Sequence, residues 1–253
     1  MKVITLMNQK GGAGKSTVAR ALLSAADEAG IRSAFIDADQ TGNLGSWAIQ
    51  AASNNLWSNR IEAFQSVEAD EVSDVIDELH SEGKVDLLIL DTAGDASRDH
   101  DVFASVADLV LCPILLSRSD LLTARGTANY LYRMRGRVEN PSLLPPFGVL
   151  LNRVGKNPTK GDLHLLEQVR EHPLVGKDSE TPVEKLNLLN AVLSEREAYK
   201  TMDGKGLLGQ ILRQHNASAP RFRQNPKYLT DAMKEVEGLL TACLKITGGL
   251  KDD

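Results

Sequence analysis

The sequence is poor in aromatic residues and contains only two cysteines. Aromatic side chains make up 4% of the chain, so a buried core must be built from aliphatic residues. Cys112 and Cys243 stand far apart without metal-type spacing, and the five histidines form no ligand pattern, so no Cys/His metal site is indicated and a reducing, cytoplasmic setting fits best. No apolar run reaches about 18 residues, the length that a spanning helix needs. No charged and apolar leader precedes the first element, so we expect a cytoplasmic protein without a membrane anchor.

What the chain does contain is enough apolar sequence for one α/β domain. Of its 253 residues, 42% are apolar and 25% are charged, and the formal net charge is −5. Short apolar runs alternate with segments of helical period, and several runs are apolar on both faces, as in a covered parallel sheet. We expect an α/β fold over 1–253, with a doubly wound, mainly parallel sheet and helices on both faces. The predicted strands are Val3–Met7, Ser33–Ile36, Val85–Leu90, Leu109–Leu115, Phe147–Leu151 and Leu188–Leu193.

Helices are expected between these strands. Apolar residues from Val18 to Ala29 lie on one helical face, and Gly30 closes that helix. A last helix is expected over about Lys227–Ile246, where apolar residues recur on one side.

Charge is distributed unevenly along the chain. From Glu62 to Asp101 there are thirteen acidic residues and two basic ones, which we interpret as a solvated face. From Arg196 to Lys227 there are seven basic residues and two acidic ones, and a smaller basic group runs from Arg125 to Arg137. A protein of net negative charge can bind DNA only through such local patches. The candidate DNA contacts are Arg213, Arg221, Arg223 and Lys227.

The segment NQKGGAGKST, over 8–17, has the composition of a phosphate-binding loop between a strand and a helix. Backbone N–H groups of a glycine-rich turn at a helix N-terminus form an anion site. Lys15 can reach the β- and γ-phosphates, and the Ser16 hydroxyl can complete a Mg²⁺ shell. A second lysine, Lys10, is not required to hold a phosphate. The predicted nucleotide-binding residues of the loop are Lys10, Gly11, Gly12, Ala13, Gly14, Lys15, Ser16 and Thr17.

With Lys10 included, the segment resembles the deviant Walker A loop of the ParA/MinD group of P-loop ATPases. The resemblance implies that Lys10 reaches across a dimer interface to the phosphates of the partner subunit, so that two ATP molecules are sandwiched. A cation placed at the bond being broken stabilises charge in the transition state. Lys10 and Lys15 are therefore predicted catalytic residues.

Carboxylates follow two further strands. The segment from Asp37 to Asn43 resembles the D-x-D-P-Q-G-N motif of the group, with Gln40-Thr41 in place of Pro-Gln. Carboxylates at the carboxyl ends of strands beside a phosphate loop suit Mg²⁺ and water positioning. The resemblance implies that Asp39 is catalytic and orients the attacking water, and that Asp37 supports the metal shell. Asp91 ends an apolar strand in the Walker B arrangement and is predicted, with Ser16, to hold Mg²⁺.

The resemblance extends over nearly the whole chain. Ser117–Asp120 resembles the S-P-L-D turn of small partition ATPases, and the strand from Phe147 looks like the one whose terminal Asn152 contacts the adenine, followed by Arg153. The segment from Ala191 to Tyr199 resembles the strand and turn that flank the base. Because the fold begins at Met1, we expect no N-terminal helix-turn-helix extension.

Other P-loop proteins fit the sequence less well. Thr159–Asp162 spells the guanine-reading T-K-x-D motif, but a loop separates it from its strand, and a capped helix start explains it. The two cysteines suit core packing better than a bridging cluster, which argues against an electron carrier. The C-terminal segment lacks the basic amphipathic character of a membrane anchor. A metabolic ATPase of the same superfamily remains open.

The sequence thus predicts a slow, partner-stimulated ATPase with ATP and Mg²⁺ as cofactors. The first hypothesis is a ParA-type protein of plasmid or chromosome partitioning, whose ATP-bound homodimer binds non-specific DNA on the nucleoid and is released by hydrolysis. Its partner would be a ParB-type centromere-binding protein. The alternative is a VirC-type assembly or positioning ATPase of conjugal or T-DNA transfer.

Overall fold

The computed structural model describes residues 1–94, 99–138, 140, 144–171, 187–217 and 226–250. Strands and helices alternate along this part of the chain. The strands are β1 Lys2–Leu6, β2 Ser33–Ala38, β3 Ile61–Gln65, β4 Leu87–Thr92, β5 Leu109–Ile114, β6 Phe147–Val154 and β7 Leu188–Ser194. The helices are α1 Lys15–Glu28, α2 Asn43–Ser53, α3 Ala69–Glu82, α4 His100–Ser105, α5 Arg118–Arg135, α6 Lys160–Glu171, α7 Glu197–Lys205, α8 Leu208–Ala217 and α9 Lys227–Ile246.

The seven strands form one sheet in the order β3-β2-β4-β1-β5-β6-β7, and every recorded pairing is parallel. The predicted doubly wound parallel sheet is therefore confirmed. Parallel strands place all their carboxyl ends at one edge, so the segments that follow β1, β2, β4, β5 and β6 meet there. This edge brings together motifs that lie far apart in the sequence.

Side chains of the central strand alternate between two aliphatic cores, one on each face of the sheet. Ile4 and Leu6 pack with residues of α1 and α9, whereas Val3 and Met7 pack with residues of α3, α4 and α5. Both faces of the sheet are therefore covered, which explains why the inner strands are apolar throughout.

The six strands predicted from the sequence are present, and one strand was missed. The missed strand, Ile61–Gln65, lies at an edge of the sheet and buries only Ile61 fully. Its remaining residues carry little apolar signal, because an edge strand with a solvated face does not need it. The last helix spans the predicted residues. Gly30, with φ 73°, lies one residue beyond the C-cap of α1.

Candidate active site

The loop between β1 and α1 adopts the backbone conformation that a phosphate cradle requires. Gly12 and Gly14 have φ values of 80° and 90°, which side chains other than glycine rarely adopt. Gly14 is the N-cap of α1, so the helix begins with unpaired N–H groups at this loop. A Cβ atom on Gly14 would lie 2.1 Å from Nδ2 of Asn152. Glycine at this position therefore satisfies both the backbone angle and the close contact.

Two buried asparagines brace the loop, Asn8 from just beyond β1 and Asn152 from β6. Asn8 donates through Nδ2 to the Pro113 carbonyl at 2.6 Å, and its Oδ1 accepts from the N–H of Lys10 at 2.8 Å. Asn152 donates through Nδ2 to the Ala13 carbonyl at 3.0 Å. The sequence indicated a base contact for Asn152, whereas the structure places its amide against the loop backbone. This bracing could not be read from the sequence, because it joins residues 139 positions apart.

The two loop lysines have different surroundings. Lys15 is 8% exposed, and its Nζ lies 3.4 Å from the Asn8 carbonyl. No described carboxylate lies within ion-pair distance of Lys15, so its charge faces the loop that would hold an anion. Lys10 extends away from this loop to the start of α5, where its Nζ donates to Asp120 Oδ2 at 2.7 Å and to Ser119 Oγ at 3.1 Å. The ammonium groups of the two lysines therefore have different partners within this chain.

Asp91, at the end of β4, is a buried carboxylate without a partner in the described part of the chain. The residue is 1% exposed, and neither of its carboxylate oxygens has a hydrogen-bond partner there. Burial raises the pKa of Asp91 to about 7, which the nearby Ser16 hydroxyl and Lys15 ammonium only partly offset. An orphaned carboxylate beside a serine hydroxyl and a phosphate loop fits a hard divalent cation such as Mg²⁺.

The segment after Asp91 lies against the phosphate loop. The Thr92 hydroxyl donates to the Leu6 carbonyl at 2.8 Å, which ties the end of β4 to β1. A Cβ atom on Gly94 would lie 3.2 Å from the N atom of Gly11 and 3.4 Å from Nζ of Lys15. A larger residue at this position would therefore require a small shift of the phosphate loop. Gly94 lies in direct contact with that loop.

Asp37 and Asp39 make different contacts. Asp37 is 1% exposed, and its Oδ2 accepts from the N–H groups of Leu44 at 2.8 Å and Gly45 at 2.9 Å, so it caps the start of α2. Asp39 follows the end of β2, as predicted, and its Oδ1 accepts from the N–H and hydroxyl of Thr41 at 2.9 and 2.8 Å. Thr41, a departure from the family motif, therefore holds the carboxylate predicted to orient water.

A cavity of about 470 Å³ opens beside the phosphate loop. Ser16 and Thr17 line it together with Asn152, Arg153 and residues of the connection from β7 to α7. Its volume lies within the range of small-molecule sites. Arg153, which follows the buried Asn152 near the end of β6, has a positive φ of 52° and lines the cavity.

Arg20 also lines the cavity, and the sequence analysis did not single it out. Its guanidinium pairs with Asp203 of α7, donates to the Asn43 carbonyl at the start of α2 at 3.0 Å, and lies 5.5 Å from the ring centroid of Trp47. Burial lowers the pKa of Arg20, although nearby carboxylates oppose the shift. An arginine among the small and apolar residues of α1 was the one signal that could have identified it. Arg20 links the phosphate-loop helix to α2 and α7.

The predicted DNA contacts are only partly within the described residues. Arg213 on α8 pairs with Asp27 at 3.1 Å and with Glu28 at 2.5 Å, so its guanidinium is engaged by α1. Lys227 is exposed and begins α9. Arg221 and Arg223 lie outside the described residues. Arg213 thus connects α8 to α1 through ion pairs.

Two observations, one at the start of α6 and one at the cysteines, bear on the rival hypotheses. Thr159 and Asp162 bond reciprocally at the start of α6, at 2.7 to 3.2 Å, which confirms the capped helix start. Cys112 and Cys243 are both fully buried and unpaired, as core packing predicts. Within the described residues, no helix is long and apolar enough to cross a membrane.

Comparisons with known proteins agree with the sequence motifs and the fold. A family model described as VirC1 protein matches residues 1–248. The Protein virC1 of Rhizobium radiobacter is 26% identical over 236 residues, which cover 93% of this chain and 94% of the relative.

Solved structures share the architecture at low sequence identity. The Cyanothece McdA(D38A)–ATP complex has a TM-score of 0.63 at 17% identity, covering 100% of this chain and 98% of that one. A putative plasmid partition protein of Borrelia burgdorferi B31 bound to AMPPNP has a TM-score of 0.61 at 16% identity, covering 96% and 98%. These likenesses confirm the predicted ParA/MinD type of P-loop fold. The chain belongs to the VirC1 protein family.

Proposed function

We propose that this protein binds and hydrolyses ATP at the carboxyl edge of the sheet. The observation that carries the proposal is the convergence there of an open glycine loop, the buried Lys15 and the Asp91 carboxylate, which has no hydrogen-bond partner among the described residues. Backbone N–H groups of the loop and Lys15 would hold the phosphates. The nucleoside would lie in the adjoining cavity, towards Asn152 and Arg153.

The residues present fit a Mg²⁺ ion. Ser16 and Asp91 would hold it, and Asp37, near the end of β2, would support the metal shell. The ion would neutralise charge on the phosphates. A bound cation would offset the burial of Asp91 and lower the pKa of its carboxyl.

Asp39 would hold the attacking water. It lies just beyond β2, and its carboxylate accepts hydrogen bonds from the N–H and the hydroxyl of Thr41, which fix its position. A positioned base of this kind contributes about 10²- to 10⁴-fold to a proton-transfer step.

Lys10 would act in trans. Its Nζ donates to Asp120 at 2.7 Å, and under this proposal the nucleotide bound by one subunit would be held without the Lys10 of that subunit. In an ATP-bound homodimer, Lys10 of each subunit would approach the phosphates held by the other. The added cation would stabilise charge in the transition state, as an arginine finger does.

Membership of the VirC1 family favours the second of the two roles that the sequence left open, an assembly or positioning ATPase of DNA transfer. The fold shared with a putative plasmid partition protein keeps the partition role, with its ParB-type partner, as the second candidate. In either role, the ATP-bound dimer would bind non-specific DNA, and hydrolysis would release it. Relaxase or transfer genes beside this gene would support the DNA-transfer role, and a small centromere-binding gene would support the partition role.

The biochemical test compares nucleotide binding and turnover in the parent and in Lys15→Ala. The parent should bind mant-ATP more tightly than mant-GTP and release phosphate slowly in a Mg²⁺-dependent reaction. Lys15→Ala should lose nucleotide binding because it removes the cation that faces the phosphates. Lys84→Ala is the matched control, since Lys84 lies on an exposed surface, where it pairs with Glu82. A parent that binds no nucleotide, or a Lys15→Ala variant that binds as the parent does, would disprove the proposal.

A further inference from the structure

The carboxylate of Glu235, on α9, accepts hydrogen bonds from three residues around the end of β7. Its Oε1 accepts from the Ser194 hydroxyl and from the Arg196 guanidinium, each at 2.7 Å. Its Oε2 accepts from the Ser194 N–H at 3.1 Å and from the Tyr199 hydroxyl at 2.8 Å. Ser194, Arg196 and Tyr199 all line the cavity beside the phosphate loop. A single carboxylate outside the cavity therefore organises much of one wall.

This wall receives little support from the sheet. Among the described strands, β7 pairs only with β6, and the register between them shifts twice, between Val149 and Leu151 and between Leu151 and Val154. Beyond the strand, the Glu195 N–H donates to the Val154 carbonyl at 2.8 Å. Because this pairing is irregular, backbone hydrogen bonds to β6 fix the end of β7 poorly. The four hydrogen bonds to Glu235 supply the missing constraint.

Glu235 also determines which groups the wall presents. Burial alone would raise the pKa of Glu235, but hydrogen bonds from Arg196 and Ser194 outweigh it and hold the pKa below its ordinary value. The carboxylate is therefore ionised at neutral pH and can only accept hydrogen bonds. The hydroxyls of Ser194 and Tyr199 must each direct their one proton to it. Towards the cavity these two oxygens can then only accept.

Hydroxyl groups that can only accept hydrogen bonds suit a base that presents an amino group to them. The exocyclic N6 of adenine is a donor, whereas O6 of guanine at the same position is an acceptor. Guanine also carries donors, at N1 and N2, so this discrimination applies to a base whose 6-position faces the wall. Two acceptors opposed to O6 would then leave unpaired polar atoms, which a ligand site rejects strongly. We propose that Glu235 is a positioning residue that fixes the base-binding wall against the 6-position of the base and so gives the cavity its preference for adenine over guanine. The inference rests on the proposed ATP-binding function and deepens it.

The test separates recognition of the base from recognition of the phosphates. Dissociation constants for ATP, GTP and inorganic tripolyphosphate, each with Mg²⁺, are measured by calorimetry in the parent, Glu235→Ala and Glu235→Gln. Both variants should bind ATP about tenfold more weakly, the change expected for one or two lost hydrogen bonds. Binding of tripolyphosphate should be unchanged, and the ratio of ATP to GTP affinity should fall. In turnover, the loss should appear in KM rather than kcat.

Glu237→Ala is the matched control, since Glu237 has the same charge, lies on the same helix and is exposed. It should leave all three constants unchanged. Should Glu235→Ala fail to fold, Ser194→Ala and Tyr199→Phe replace it, because each removes one hydroxyl and keeps the ion pair between Arg196 and Glu235. Each should lower the preference for ATP over GTP.

Equal weakening of ATP and tripolyphosphate would overturn the inference, because it would indicate a general loss of structure. An ATP affinity unaltered by Glu235→Ala in a parent that binds ATP would overturn the inference alone. A parent that binds no ATP would overturn the proposed function and the inference with it.

Discussion

Lys10 and Asp120, which lie 110 positions apart, form an ion pair of 2.7 Å that ties the phosphate loop to the start of α5. The Asp120 side chain is 1% exposed and also accepts from the Ser117 hydroxyl, whereas that of Lys10 is 40% exposed. Burial alone would raise the pKa of Asp120, but hydrogen bonds from Lys10 and Ser117 hold it below its ordinary value. The lysine proposed to serve a partner's phosphates is thus engaged within its own chain.

Asp120→Asn should therefore promote ATP-dependent dimerisation. A half-exposed ion pair is worth up to about 1 kcal/mol, so its loss should favour the dimer by roughly fivefold per subunit. Sedimentation across a protein concentration series with ATP measures the shift. Asp108→Asn, which removes the pair with Lys2, is the control and should leave the dimer constant unchanged. A weaker dimer in Asp120→Asn would show that Asp120 supports the interface rather than competing with it.

Asp39→Ala should separate binding from hydrolysis. The substitution removes the carboxylate proposed to hold the water, but it leaves Lys15, Ser16 and Asp91 in place. ATP affinity should persist, while turnover should fall by about 10²- to 10⁴-fold, and the ATP-bound dimer should outlive that of the parent. Phosphate release and dimer lifetime are followed in the same mixture.

Asp74→Ala, on the exposed face of α3, is the control for this substitution. Loss of ATP binding in Asp39→Ala would make Asp39 a structural residue or a direct metal ligand. Unaltered turnover would assign the positioning of water to another group; the alternatives from the sequence are Asp91 and Asp95, of which Asp95 lies outside the described residues.

DNA binding by the ATP-bound protein should weaken steeply with salt. Each neutralised phosphate contributes about −0.9 to the slope of log affinity against log salt concentration. Replacing Arg221, Arg223 and Lys227 together by glutamine should reduce the slope by up to about 3. Arg213→Gln is the matched control, because its guanidinium is engaged by Asp27 and Glu28, and it should leave the slope unchanged. A triple variant with the parental slope would exclude this segment as the DNA contact.

The network around Glu235 should give the protein a specific acid sensitivity. The pKa of the Glu235 carboxyl is lower in the folded protein than in the unfolded chain, where it is near 4.5. Its ionised form therefore stabilises the folded state at pH values above 4.5, and this stabilisation is lost as the pH falls through the pKa of the folded protein. Thermal unfolding of the parent and Glu235→Gln is compared from pH 7 to about pH 3. The parent should be the more stable at neutral pH, and the difference should shrink below about pH 4.5. A difference that stays constant with pH would contradict the charged state assigned to Glu235.

The sequence predicted the parts of the site that are local. The phosphate loop, the carboxylates that end β2 and β4, and the cap at Thr159 each lie within one short segment. Their patterns are set by backbone geometry and by strand or helix ends, which a sequence displays directly.

The sequence could not predict contacts that depend on the packing of distant elements. The bracing of Ala13 by Asn152, the pair between Lys10 and Asp120, and the Glu235 network join segments that meet only after the sheet forms. The edge strand β3 escaped prediction for a related reason, since its solvated residues carry no apolar pattern. Local signals thus predicted the site's components, and the fold determined their partners.

The central claim is that Lys10 acts across an ATP-dependent dimer while Lys15 holds the nucleotide of its own subunit. Light scattering with Mg²⁺ and either ATP or ADP tests it directly on the parent, Lys10→Ala and Lys15→Ala. We expect the parent to be a dimer with ATP and a monomer with ADP. We expect Lys10→Ala to bind ATP but stay monomeric, and Lys15→Ala to bind no nucleotide. A Lys10→Ala variant that dimerises with ATP and hydrolyses it at the parental rate would contradict the account.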